Sequence, residues 1–157
     1  MTCEARSHAP FEWRPTAPNV AAAGRSGIGE EFGVYDALLR CVSGQSVEYG
    51  VVEYRLAHEE PDVYAAVLRR YGHRAIAPRT YTTSSFLGGA LGQLAREGLI
   101  DGGWTKATGY WSYNGDIGCY GKADPADDSR AVLSWDDFAR ENGVDPAEWP
   151  YSASALG

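Results

Sequence analysis

The chain has 157 residues, 44% of them hydrophobic and 22% charged, with a net charge of −7. That length suits one domain with a real core and is too short for two comfortable ones. No apolar run approaches the roughly 18 residues that span a bilayer, and no basic, apolar, small-residue signal opens the chain, so no membrane partner and a cytoplasmic location are expected. Cys3, Cys41 and Cys119, an odd number at wide spacing, indicate neither a disulfide framework nor a metal site, and no cofactor is called for.

The charge is unevenly spread. Between Arg69 and Lys122 stand seven basic residues (Arg69, Arg70, Arg74, Arg79, Arg96, Lys106, Lys122) and three acids (Glu97, Asp101, Asp116), a local +4 that leaves −11 elsewhere. A modestly basic middle between acidic ends is compatible with a nucleic-acid partner without demanding one.

Residues 1–29, with Pro10, Pro15, Pro18, an alanine run and GRSGIG, read as an N-terminal arm with little regular structure that carries Phe11 and Trp13. Phe32, Tyr35, Leu38, Leu39 and Val42 keep helical spacing and predict a helix from Glu30 to Val42, ended by Ser43-Gly44. Gln45-Ser46-Val47 reads as a very short strand. Glu48 to His58 reads as a second helix with Val51, Val52 and Leu56 inward. Pro61 suits the first turn of a third, closed by Gly72, with Val63, Ala66 and Val67 inward. Arg69, Arg70 and Arg74 gather at its C-terminal end, where they complement the helix dipole or reach a phosphate. HRAIAPRT reads as a loop, since Pro78 turns Ala77 away from helical geometry.

Tyr81 to Ile100, YTTSSFLGGALGQLAREGLI, is the stretch around which the rest is arranged. Phe86, Leu87, Ala90, Leu91 and Leu94 fall within an arc of about 140° and form a core-facing stripe. Thr82 or Thr83 fits the N-cap, and Gly98 fits the left-handed position of a Schellman motif with Leu99 beyond it. The opposite face carries Ser85, Gly88, Gly89, Gly92 and Arg96 and is nearly bare of side chains. Three interior glycines cost on the order of 3 kcal/mol of helix propensity. Either the glycines relieve packing inside the chain, or a DNA backbone or another helix comes close to this face.

After a short strand at Gly103 to Ala107, TGYWSYNGDIGCYGK holds Asn114-Gly115 between aromatic-rich runs, the pattern of a two-residue type I′ hairpin. Its register would place Tyr113 opposite Asp116 and Trp111 opposite Gly118. Tyr110, Ile117 and Cys119 would then face the core, and Trp111, Tyr113 and Tyr120 would form an exposed aromatic surface with Lys122 at its base. Trp111 could equally wedge against a sugar or base, make a dimer contact, or lie under the tail. Residues 123–157 read as an acidic linker and a short C-terminal helical tail, with a capping box at Ser134 and Asp137 and with Trp135, Phe138 and Trp149 docking it.

Helix, short strand, two helices, then SSFLGGALGQLAREGLI running into a hairpin resembles a winged helix-turn-helix domain over residues 30–122, with Pro61 to Gly72 as an extra helix. The match lies in a recognition helix that ends in spaced leucines, Gly98 and Ile100 before the wing. The resemblance implies an α+β, mainly α fold and duplex DNA as partner, as in a bacterial-type transcription regulator or a DNA-associated accessory factor. The N-terminal turn of the recognition helix, Thr82, Thr83, Ser84 and Ser85, would face the groove or its phosphates. Arg79 before it, and Lys106, Trp111, Tyr113 and Lys122 in the wing, would touch the backbone or minor groove. The helix lacks an early Arg, Asn or Gln for bidentate base readout, so recognition weighted toward shape and backbone is expected. The alternative is a winged helix used for protein contact or homodimerisation through the glycine face.

An enzyme is not expected. His58-Glu59-Glu60 lacks the second histidine of a zinc-protease helix, His73 has no recognisable acid or nucleophile partner, and no phosphate loop or dinucleotide fingerprint occurs.

Overall fold

The computed structural model describes residues 24–42, 44–72, 82–122 and 131–151. They form a mainly helical α+β arrangement with one three-stranded antiparallel sheet.

Regular structure begins earlier than the apolar pattern indicates. Ser26 accepts a hydrogen bond from the Gly29 N–H at 2.9 Å and caps α1 (Gly27–Phe32). Gly33, at φ 70°, adopts the left-handed conformation that other residues avoid, so the single helix expected over 30–42 is split into α1 and α2 (Val34–Cys41). Arg25 joins the folded unit through two hydrogen bonds to Glu97, at 2.8 and 3.0 Å. Residues 24–29, read from sequence as arm, therefore belong to the body, while Phe11 and Trp13 lie outside the described residues.

Strand β1 (Val47–Glu48) leads directly into α3 (Tyr49–Glu59), and α4 (Pro61–Tyr71) starts on Pro61 as expected. The single residue between them, Glu60, accepts two hydrogen bonds from Arg40, at 2.8 and 3.0 Å. In α5 (Thr83–Arg96) the N-cap is Thr82, whose hydroxyl accepts the Ser85 N–H at 3.1 Å. Its C-terminus closes in a Schellman motif: Gly98 N–H donates to Ala95 O and Leu99 N–H to Leu94 O, both at 3.0 Å. The stripe from Phe86 to Leu94 is buried against Leu38, Val51, Leu56 and Val67. Each fully buried leucine contributes about 2 kcal/mol, which fixes the rotation of α5 about its axis.

Strands β2 (Asp101–Lys106) and β3 (Asp116–Gly121) complete a sheet of order β1-β3-β2. The two-residue hairpin at Asn114-Gly115 does not form. Gly109–Asn114 is a 3-10 helix, and β3 pairs with β2 instead, Lys106 opposite Asp116 and Trp104 opposite Gly118. Asn114 lacks the positive φ that a type I′ turn demands. The cause is tertiary. Trp111 is 1% exposed and lies on Gly50, where any Cβ would overlap the indole. Burying that ring is worth about 3 kcal/mol, more than the ~1 kcal/mol range of strand preference. The exposed surface expected of Trp111, Tyr113 and Tyr120 is thus reduced to Tyr113, with Tyr120 half-buried.

The C-terminal segment is integral to this body. Leu133 bridges Val47 in parallel, with Glu48 N–H on Leu133 O at 2.9 Å. Helix α6 (Trp135–Glu141), capped by Ser134, packs on α3 through Phe138, whose ring lies 5.3 Å from that of Tyr54. Trp135 and Trp149 are buried beside it. The acidic stretch 123–130 lies outside the described residues. No helix among those described is long and apolar enough to cross a membrane.

Candidate functional site

Helix α5 and strand β2 are joined by the short turn 97–100 and therefore run back along one another. At the joint they touch, since a Cβ on Gly102 would lie 3.3 Å from that of Ala95. Toward the N-terminal end of α5 they part and leave a cleft of about 580 Å³. Thr82, Ser84, Ser85 and Gly88 form its helical side, and Trp104, Asp116, Ile117, Gly118 and Tyr120 its sheet side. The 3-10 helix supplies Tyr110, Trp111, Tyr113 and Asn114, and α3 supplies Tyr49.

Three ring pairs in this wall meet almost at right angles. Centroid separations and interplanar angles are 5.3 Å and 86° for Tyr49 with Trp111, 5.1 Å and 88° for Tyr110 with Trp111, and 6.0 Å and 87° for Tyr110 with Tyr113. Trp104 and Tyr113 stand at the rim, 55% and 71% exposed. The Tyr120 ring lies across Gly118, which has room for no side chain there. Burial pushes the Tyr120 phenol above its ordinary range, so it stays protonated. Its hydroxyl meets no hydrogen-bond partner among the described residues. Asp116 is the sole charged side chain of the lining and makes no ion pair among them.

Behind the wall lies Glu53, fully buried in α3. Its Oε1 accepts from the Tyr49 hydroxyl at 2.6 Å and the Ser84 hydroxyl at 2.8 Å, and its Oε2 from the Tyr64 hydroxyl at 2.7 Å. Burial raises its pKa, and the three hydroxyls oppose that rise by stabilising the carboxylate. Tyr49 and Ser84 belong both to this network and to the cleft. A second buried carboxylate, Glu48, accepts the Thr108 N–H at 3.0 Å, the Thr108 hydroxyl at 2.7 Å and the Trp135 N–H at 2.8 Å. It ties the 3-10 helix and α6 to the end of β1.

Of the residues expected to meet DNA, Thr82, Ser84, Ser85, Trp111 and Tyr113 all border this cleft. Their accessibility differs. Ser85 and Tyr113 are exposed, Thr82 and Ser84 are half-buried, and Trp111 and Thr83 are buried. Thr83 donates its hydroxyl to Gly72 O at 2.7 Å and so ties α5 to the end of α4. Lys106 and Lys122 are both exposed but at opposite ends of the β2–β3 ladder, because Lys106 pairs with Asp116 while Lys122 follows Gly121. Arg79 lies outside the described residues.

Sequence reasoning missed Tyr49, Glu53 and Tyr64. A signal was present, since Tyr49, Glu53 and Leu56 follow one another at helical spacing on the apolar stripe of α3. Trp104 and Asp116 carried no such signal, because the cleft arises from the divergence of a helix and a sheet. Among the described residues no group of three or more His, Cys, Asp or Glu could hold a metal ion. Cys41 is buried and its thiol is pushed up to about 12, which suits packing and not nucleophilic chemistry. Comparison with protein-family models, curated proteins and solved structures found no match to this chain.

Proposed function

We propose that the chain is a winged-helix DNA-binding protein, a transcription regulator or DNA-associated accessory factor, that meets duplex DNA with the outward face of α5 and the β2–β3 connection. The order of elements supports this reading: α2, β1, α3, α4, α5, β2, β3 with the sheet arranged β1-β3-β2 and α5 feeding β2 directly. In it α4 is the added helix. Residues 107–115, with the 3-10 helix, serve as the wing.

The observation that carries the reading is the purpose of the glycines on α5. A Cβ on Gly88 would meet nothing within 4 Å, and one on Gly92 only the Arg96 guanidinium at 3.5 Å. Packing among the described residues therefore does not require Gly88 or Gly92, although each costs about 1 kcal/mol of helix propensity. A surface that has to come very close to the helix backbone accounts for that cost. Ser85 and the first-turn amides of α5 would accept a phosphate at such range, with Lys106 and Tyr113 beside it and Arg79 preceding the helix.

A second reading, homodimerisation or protein contact, is favoured by the local charge. Arg96, Lys106 and Lys122 are balanced by Glu97, Asp101 and Asp116 over residues 82–122. Ser85 with Gly89, and Gly88 with Gly92, are spaced to let a second helix approach.

Fluorescence-anisotropy titration with random-sequence duplex at two salt concentrations tests the first reading. Binding in the micromolar range that falls steeply with salt is expected, since phosphate contacts release counterions. Lys106→Ala and Arg79→Ala should both weaken it. Gly88→Ala should weaken it about tenfold while stabilising the free protein by about 1 kcal/mol, a combination that a role in internal packing would not produce. No retention of DNA at low salt, together with a dimer that Gly88→Ala dissociates in sedimentation, would establish the second reading.

A further inference from the structure

The cleft has a chemistry of its own that the α5 surface does not explain. Among the described residues its one charged side chain is the Asp116 carboxylate, and no basic residue lines it. Tyr49 and Ser84 both donate their hydroxyl protons to Glu53, so toward the cleft they can turn only lone pairs. The lining thus offers acceptors and negative charge.

Its rings point the same way. The pairs Tyr49–Trp111, Tyr110–Trp111 and Tyr110–Tyr113 are within a few degrees of perpendicular, at 86°, 88° and 87°. Parallel rings would make a slot for a flat base. Tyr49 and Trp111 are buried and back the wall. Tyr110 and Tyr113, perpendicular to one another, instead present π-faces from two directions to one compact group, and those faces attract positive charge. Trp104, whose ring type gives the strongest such attraction, stands 55% exposed beside the carboxylate-bearing end of β3.

We propose that this cleft binds an organic cation of small-molecule size, its ammonium head set among Trp104, Tyr110 and Tyr113 and paired with Asp116. The volume of about 580 Å³ exceeds what the head alone would fill, so the ligand carries a further body that lies along Ile117 and Gly118. The Tyr120 hydroxyl, which is protonated and meets no partner among the described residues, supplies a hydrogen bond to a polar group on that body. The cleft borders Ser85, Gly88 and Tyr113, which the DNA-binding reading also uses, so a bound cation would change the charge that a phosphate meets at that edge.

The test is an amide-detected NMR titration of the full chain with choline and with its uncharged carbon isostere, dimethylbutanol. Saturable shifts confined to α5, β2 around Trp104, the 3-10 helix and β3 are expected with choline, and binding of the isostere should be weaker by about tenfold. Asp116→Asn and Trp104→Ala should each weaken choline by about tenfold. Both side chains are exposed, so unchanged spectra elsewhere will certify that the variants fold. Equal binding of the isostere, indifference to both variants, or no saturable shift would overturn the proposal. Preference for adenosine or cytidine in the same Trp104-dependent site would overturn it in favour of ring stacking. No DNA enters the titration, so failure here leaves the DNA-binding reading to its own experiment.

Discussion

Glu48 and Glu53 are both fully buried, and no cation pairs with either among the described residues. Each accepts three hydrogen bonds, yet the donors differ in kind. Glu48 receives two backbone N–H groups and one hydroxyl, from Thr108 and Trp135. Glu53 receives three side-chain hydroxyls, from Tyr49, Tyr64 and Ser84. A backbone amide is held by the chain and can only donate. A hydroxyl rotates and can accept as readily as it donates. The first carboxylate is therefore a clamp between β1, the 3-10 helix and α6, and the second is an adjustable support for the cleft wall.

The largest expected effect tests the clamp. Glu48→Ala leaves two amides and a hydroxyl without an acceptor in the interior, at a cost on the order of 4 kcal/mol in urea denaturation. Glu48→Gln should cost about 2 kcal/mol, because the carboxamide nitrogen must face an N–H that cannot turn away. Glu53→Gln should cost only about 1 kcal/mol, because one hydroxyl can reverse and accept from the new amide. Equal costs for the two glutamine variants would break the comparison.

The pH dependence sharpens it. Burial holds both glutamates above the ordinary carboxylate range, only partly offset by their hydrogen bonds. The folded state thus binds protons more tightly than the unfolded chain. The associated stability is fully present below the ordinary glutamate value and is lost as pH rises through the raised one. Glu60 and Glu97 have the opposite sign. Hydrogen bonds from Arg40 and Arg25 lower them, so their stabilisation is present above the ordinary value and fades as pH falls through the lowered one. Those two pairs are solvent-exposed and screened, so the buried glutamates set the net slope. The melting temperature should rise as pH is lowered from neutrality toward the ordinary glutamate range, and Glu53→Gln should flatten that profile. A wild-type melting temperature that falls over the same interval would show the exposed pairs to dominate.

What could be read in advance follows the same division between local and tertiary causes. The Thr82 cap, the Gly98 terminus, Pro61 at the start of α4 and the leucine stripe of α5 depend on neighbours a few residues away, and each stands where the sequence put it. Trp111 does not, because its place is decided by Gly50, some sixty residues earlier in the chain. With it went the expected hairpin, since Asn114-Gly115 could not outweigh a buried indole. Gly33 escaped notice because a left-handed glycine inside an apolar pattern leaves the pattern intact. The cleft was half legible. Ser84, Ser85 and Tyr113 were singled out, but Glu53 behind them drew no reading, since a fully buried glutamate is rare.

Ser84→Ala gives the smallest effect and the finest test of the comparison. It removes one of the two hydroxyls on Glu53 Oε1, whereas Thr108→Val removes a hydroxyl that also accepts the Asp136 N–H at 3.0 Å. Ser84 borders the cleft and is half-buried, so water entering from the cleft can take its place on the carboxylate. Thr108 does not border the cleft, and its hydroxyl is engaged on both sides, by Glu48 and by the Asp136 N–H. Ser84→Ala should cost about 0.5 kcal/mol and Thr108→Val about 2 kcal/mol by the same denaturation measurement. A Ser84→Ala cost near that of Thr108→Val would mean that Glu53 is sealed from the cleft. The wall of the cleft would then be as rigid as the clamp, and its hydroxyls would be fixed in the acceptor orientation that a bound cation needs.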